Sequence, residues 1–181
     1  MSKVNQLVDK AKEFGAAAAA AVNTSDIRFS KEFRTLCEQN SCGKYGANWM
    51  CPPGVGSFEQ LRARALTFSE GVVFQTVHNL DDPFDLKGMT QATEVHDRIF
   101  RDILKYIRCH GGYETVLPLS AGECRVCREC TYPDGTACRF PDRAVASLEA
   151  YCIDVAALMA GCDIPYNNGP NTVSLVGLFL F

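Results

Sequence analysis

A chain of 181 residues with a net charge of −3 and a pI near 5.6 gives no basic footprint of the kind that binds nucleic acid. With 47% hydrophobic residues it can bury an ordinary globular core. The outlying number is ten cysteines. The start Met1-Ser2-Lys3-Val4 lacks the charged and leucine-rich regions of a signal peptide, and no stretch approaches a membrane span. The expected location is the cytoplasm, where thiols stay reduced and clustered cysteines mean metal or redox chemistry rather than disulfides.

Taken in order, residues 3–19 read as an amphipathic helix, with Val4, Leu7, Ala11, Phe14 and Ala18 on one face. Asn23-Thr24-Ser25 breaks it, and Asp26 to Phe33 is expected to be a short strand. A loop rich in Gly, Asn and Ser then carries Cys37, Cys42 and Cys51. Ser57-Phe58-Glu59-Gln60 has the capping-box pattern of a second helix, which Gly71 ends. Val72 to Val77 is apolar and β-branched, the signature of a buried strand. Thr90 is placed to cap a third helix with Val95, Ile99, Ile103, Tyr106 and Ile107 as its buried stripe, ended by Gly111-Gly112.

Thr115 to Leu119 is expected to be a strand that leads into Cys124, Cys127, Cys130 and Cys138. Asp142 is placed to cap a fourth helix, with Leu148, Tyr151, Cys152, Val155 and Met159 on its core face and Gly161 at its end. The closing segment Val173 to Phe181 is apolar on both alternating faces, as in a central strand of a sheet covered on both sides. Alternating helices and strands predict a single α/β domain over residues 1–181, with a largely parallel four-stranded sheet. Both cysteine loops would then follow strands at one carboxyl edge of that sheet, with helix starts after Pro53 and Pro141 facing them.

The set Cys124-x2-Cys127-x2-Cys130 with Cys138 after a seven-residue loop places a thiolate at every third residue of a tight turn. This geometry suits the corners of a [4Fe–4S] cluster. A structural zinc site, the alternative, more often pairs two C-x2-C knuckles separated by a dozen or more residues. Around the loop, Arg125, Arg128, Arg139 and Arg143 stand against Glu123, Glu129, Asp134 and Asp142, either as donors to cluster sulfurs or as a solvated surface.

Cys37, Cys42 and Cys51-Pro52-Pro53 form a second set, one ligand short of closure. Either a distant residue completes it or one iron keeps an open position; the plainer alternative is a set of ordinary loop cysteines. Tyr45 and Trp49 are placed to shield this site, or simply to pack. Cys152 falls on an apolar stripe and reads as a small core residue. Cys109 beside His110 is a weak ligand candidate, and Cys162 is the first choice for a missing fourth ligand. His78, His96 and His110 show no metal-ligand spacing and read as structural or exposed.

These blocks, Cys37-x4-Cys42-x8-Cys51-Pro-Pro, Ala121-Gly122-Glu123-Cys124 through Cys130, Cys138-Arg139-Phe140-Pro141 and Ser147-Leu148-Glu149-Ala150 through Asp154-Val155, together resemble the "predicted metal-binding protein" family, domain of unknown function 2284. The resemblance implies a metal centre and names no reaction. The family is common in anaerobic bacteria and archaea, which suits an oxygen-sensitive cluster. The preferred reading is an iron–sulfur protein with one or two [4Fe–4S] clusters, which carries electrons or supports a redox enzyme and meets a redox partner protein. An enzyme built on an open three-cysteine cluster and a zinc-stabilised interaction module are the alternatives.

Overall fold

The computed structural model describes residues 2–110 and 112–181, so Met1 and the helix-ending role of Gly111 lie outside the described residues. The first helix, α1 (Lys3–Glu13), is capped by Ser2, whose side chain accepts from the Asn5 N–H at 3.2 Å. It stops well short of residue 19 because Phe14 is its C-cap and Gly15 follows at φ +108, a left-handed turn that glycine adopts without strain. The alanine run after it is the strand β1 (Ala18–Asn23), with the short 3-10 turn Thr24–Asp26 beyond it. No strand forms over 26–33: Phe29 makes a single bridge to Ile153, and the chain turns into α2 (Glu32–Glu38).

The helix α3 (Phe58–Ala65) opens on the expected capping box, with Ser57 and Gln60 bonded reciprocally. The strand β2 (Glu70–Asn79) follows, and then the long helix α4 (Leu86–His110). This helix starts before Thr90, because Asp85 takes the Gly88 N–H at 2.7 Å, while the Thr90 hydroxyl bonds back to the Leu86 carbonyl inside the helix. Next come β3 (Leu117–Ser120), β4 (Ala146–Ser147), α5 (Val155–Gly161) and β5 (Thr172–Leu180). The fourth helix expected from Asp142 is absent. Residues 146–147 pair with β3 instead, and the helix waits for Asp154, whose carboxylate accepts the Ala157 N–H at 2.9 Å.

The α/β class stands, but the sheet is five-stranded, mixed and mostly antiparallel, in the order β1-β2-β5-β3-β4. Among the described residues, only the short β3–β4 pair is parallel. As its apolar pattern indicates, β5 is the middle strand and is covered on both sides. On one side α1 and α4 bury Leu7, Ile99, Phe100, Ile103 and Ile107 against Phe74 and Phe179. Phe100 and Phe179 stack with centroids 4.8 Å apart. A β-carbon at Gly177 would strike the Phe74 ring, so this strand position accepts only glycine. On the other side Val73, Leu178 and Leu180 pack under α3, α5, the 148–153 turns and the residues Ile27, Phe29, Met50 and Val55. That second layer carries the first cysteine loop through Met50 and Val55, whereas the four-cysteine loop returns against α4, where Val145 joins the first core and Arg101 and Arg108 donate to the Arg143 and Asp142 carbonyls. No helix among the described residues is long and apolar enough to cross a membrane.

Candidate metal centre

The strand β3 anchors the four-cysteine loop: Leu119 is fully buried, and the Ser120 carbonyl accepts the Leu148 N–H at 3.1 Å. Gly122 turns the chain at φ +72, and residues 121–145 then run without helix or strand. What closes the loop is local. Tyr132-Pro133-Asp134-Gly135 is a turn with Pro and Gly at their favoured positions, held by the Gly135 N–H on the Tyr132 carbonyl at 3.0 Å. The buried Thr131 accepts the Thr136 N–H on its carbonyl and donates its hydroxyl to the Ala137 carbonyl. Arg139 donates to the Glu129 carbonyl at 2.9 Å. The chain therefore goes out and returns, setting Cys138 beside Cys130.

Cys124, Cys127, Cys130 and Cys138, all partly buried, line one small cavity together with Asn48, Trp49, Met50, Val126 and Ala144. Four thiols in a largely apolar lining have the donor chemistry of a thiolate-ligated centre, so these residues fit a bound metal or cluster. Among the described residues, no three His, Cys, Asp or Glu side chains gather as ligands of one ion.

Three of the lining residues come from the other cysteine loop, and the two loops are bonded to each other. Trp49 donates its indole N–H to the Thr136 carbonyl at 3.0 Å and meets Tyr132 edge to face at 4.9 Å. Lys44 pairs with Glu123 at 3.3 Å, and Arg125 pairs with the same carboxylate at 3.6 Å. Burial pushes the Glu123 carboxyl up, but its own backbone N–H and the Arg125 and Lys44 charges outweigh it and hold the group below the usual range. The loops therefore do adjoin, although the expected reason fails. Strands β1 and β3 run in opposite directions, and the first loop follows α2 rather than a strand. It reaches its neighbour because residues 27–38 cross the second face of the sheet. No helix starts after Pro141, and α3 spends part of its N-terminal N–H set on its own capping box.

In the second set, Cys37 lies on α2 and Cys42 and Cys51 in the loop beyond it. Burial pushes the Cys37 thiol up, Arg34 pulls it down, and the neighbouring Cys152, Cys42 and Cys51 add to the rise. Burial also pushes Cys51 up against the Asn48 amide, which donates to its sulfur at 3.2 Å; Cys42, Glu123 and Cys124 push further in the same direction. The buried Asn48 thus touches the second set and lines the cavity of the first. Its place three residues before Cys51 was the available signal. Trp49 packs at the four-cysteine cavity, whereas Tyr45 lines a separate open cleft with Lys31, Arg34 and Glu38.

Cys162 is not brought to this set. It sits beside Ala21, Val22 and Asp26 at the end of β1. Cys109 is exposed on the last turn of α4. Cys152 is fully buried, with its backbone at φ +59 and its carbonyl accepting the Ser30 N–H at 2.9 Å. His96 is buried and structural: Nδ1 lies 2.9 Å from the Thr76 hydroxyl, which His78 also reaches at 3.0 Å, and the ring stacks on Phe74. Burial, with some help from His78, lowers its pKa to about 4. Its Nε2 has no partner, and the ring borders a small pocket shared with Glu123, Cys124 and Arg125.

Fold and site together define a cysteine-rich α/β protein whose loop layer presents four thiols around one cavity. The chain belongs to the family described as predicted metal-binding protein (DUF2284), which matches residues 20–181. No curated protein and no solved structure matches it.

Proposed function

We propose that this metal-binding protein holds a [4Fe–4S] cluster on Cys124, Cys127, Cys130 and Cys138 and works in electron transfer or as a redox accessory protein. The observation that carries this reading is the ring of four thiols around one cavity. A tetrahedral zinc ion with Zn–S bonds of about 2.3 Å draws its sulfurs to about 3.8 Å from one another, onto one point. Thiols at every third residue, with a fourth after a seven-residue loop, follow instead the spacing of a C-x2-C-x2-C cluster run. Asn48, Trp49, Met50 and Val126 narrow water access, which shifts a bound cluster's potential. Cys37, Cys42 and Cys51 belong to a second site of the same kind. A reducing cytoplasm suits both, and a redox protein is the partner that electron transfer calls for.

Strictly anaerobic purification followed by iron, zinc and acid-labile sulfide analysis tests the reading. The expected product is brown and contains iron and sulfide in equal amounts. A colourless protein with stoichiometric zinc and no sulfide contradicts it.

A further inference from the structure

The packing of His96 accounts for its ring face and its Nδ1, and leaves Nε2 unexplained. The side chain stands on α4, 1% exposed, and stacks on Phe74 with centroids 5.2 Å apart. Its Nδ1 lies 2.9 Å from the Thr76 hydroxyl, and His78 Nε2 lies 3.0 Å from the same oxygen. One hydroxyl has one proton, so it donates to one ring and accepts from the other. Nε2 of His96 is buried and has no hydrogen-bond partner among the described residues. A buried ring nitrogen left unpaired costs stability, and native structures rarely keep one without a reason.

The space that the ring borders supplies the reason. His96 and Cys124 line one small cavity of about 20 Å³, which has room for one water molecule. Cys124 also lines the cavity of the four thiols, so it borders both spaces. The other side-chain acceptors at the small cavity are already paired or neutral. Asp97 pairs with Arg101 at 3.2 Å, Glu123 pairs with Lys44 at 3.3 Å and Arg125 at 3.6 Å, and Ser120 carries no charge. Burial keeps the imidazole neutral near pH 7, so it carries a single N–H. With a thiolate on this side, that proton belongs on Nε2, and the Thr76 hydroxyl donates to Nδ1 and accepts from His78.

We infer that His96 is a positioning residue of the four-cysteine site, whose Nε2–H donates across the small cavity to the Cys124 sulfur and so tunes the bound cluster. The inference rests on the iron–sulfur reading of that site. The bonds to iron belong to the cysteines; His96 acts through one of them. Thr76 and His78, both on β2, fix the tautomer that makes Nε2 the donor. A donor at a ligand sulfur steadies the more negative, reduced cluster, and therefore raises its reduction potential. In this way α4 joins the aromatic core on one face of the sheet to the chemistry of the loop.

The test uses the full chain, reconstituted anaerobically with ferrous iron, sulfide and a thiol reductant, as wild type and as His96→Asn, His96→Gln and Cys127→Ser. An asparagine amide reaches the position of Nδ1 and loses the donor at Nε2, whereas a glutamine amide keeps a donor at Nε2 and gives up the bond to Thr76. Far-UV circular dichroism checks that each variant is folded. The expected result is that the reduction potential which Cys127→Ser removes or alters becomes more negative in His96→Asn and stays near wild type in His96→Gln, with iron and sulfide unchanged in both. A role confined to packing moves neither potential, although both variants lose stability. Reduced wild type labelled with 15N-histidine is also expected to show a pulsed-EPR coupling between the cluster and a histidine nitrogen. The inference is overturned if the two His96 variants have the same potential or, where His96→Asn does not fold, if that coupling is absent. In either case loss of iron in Cys127→Ser still upholds the four-cysteine site. Zinc without sulfide in wild type overturns the iron–sulfur reading itself, and this inference with it.

Discussion

The two faces of the sheet are held by different means. Under α1 and α4 the residues are regular and apolar, and Phe74, Phe100 and Phe179 stack in one cluster with all three rings fully buried. The cysteine loops differ: residues 39–57 and 121–145 contain no helix or strand, and between them run an indole hydrogen bond, an aromatic contact and an ion pair. Each face has its own buried apolar cluster, and the one under α1 and α4 is built from regular elements. The two loops and the end of α2 present seven partly buried or exposed cysteines on irregular chain, which is where bound metal adds the most order.

The contrast breaks first at the aromatic stack. Phe179→Ala is expected to lower stability by about 3–5 kcal/mol, measured by urea unfolding, because it empties the centre of the helix-covered face. If instead the cysteine loops carry the fold, this substitution costs little and metal removal costs most. His96 gives a smaller effect on the same face. Its folded pKa is lowered from 6.5 to about 4, so the neutral ring favoured by folding contributes fully above pH 6.5. That stability is lost as pH falls from 6.5 towards 4, by at most about 3 kcal/mol. In His96→Gln this part of the pH profile flattens.

Across the loop layer, Trp49→Phe keeps the ring against Tyr132 but removes the bond to Thr136, at an expected cost of about 1 kcal/mol. The sign to look for is faster hydrogen exchange confined to the two loops. Lys44→Ala is the smallest perturbation. It deletes an ion pair whose lysine side chain is 45% exposed, and it is expected to change stability by less than about 1 kcal/mol, with any effect fading in salt.

What the sequence shows and hides follows the same division. The double-sided apolar character of β5, the buried run of β2 and the helical stripe of α4 are visible because burial leaves its period in the residues themselves. The alanine run was misleading: alanine is the best helix former, yet Gly15 ends α1 and the run pairs with β2. Strand direction was also misread, since it depends on how connections cross the sheet, and β5, the last strand in the chain, enters between β2 and β3. The cysteine spacing points to the four thiols that line one cavity, because those ligands are local.

In the proposed function the four-cysteine loop is an iron–sulfur site on a fold that stands without it. The most direct measurement is iron and acid-labile sulfide per chain in anaerobically purified Cys127→Ser beside wild type, with circular dichroism on the same samples. The expected result is loss of one cluster's iron and sulfide, or its conversion to a three-iron form, with the helix and sheet signal retained. Full iron and sulfide content with unchanged spectra in the variant contradicts the claim.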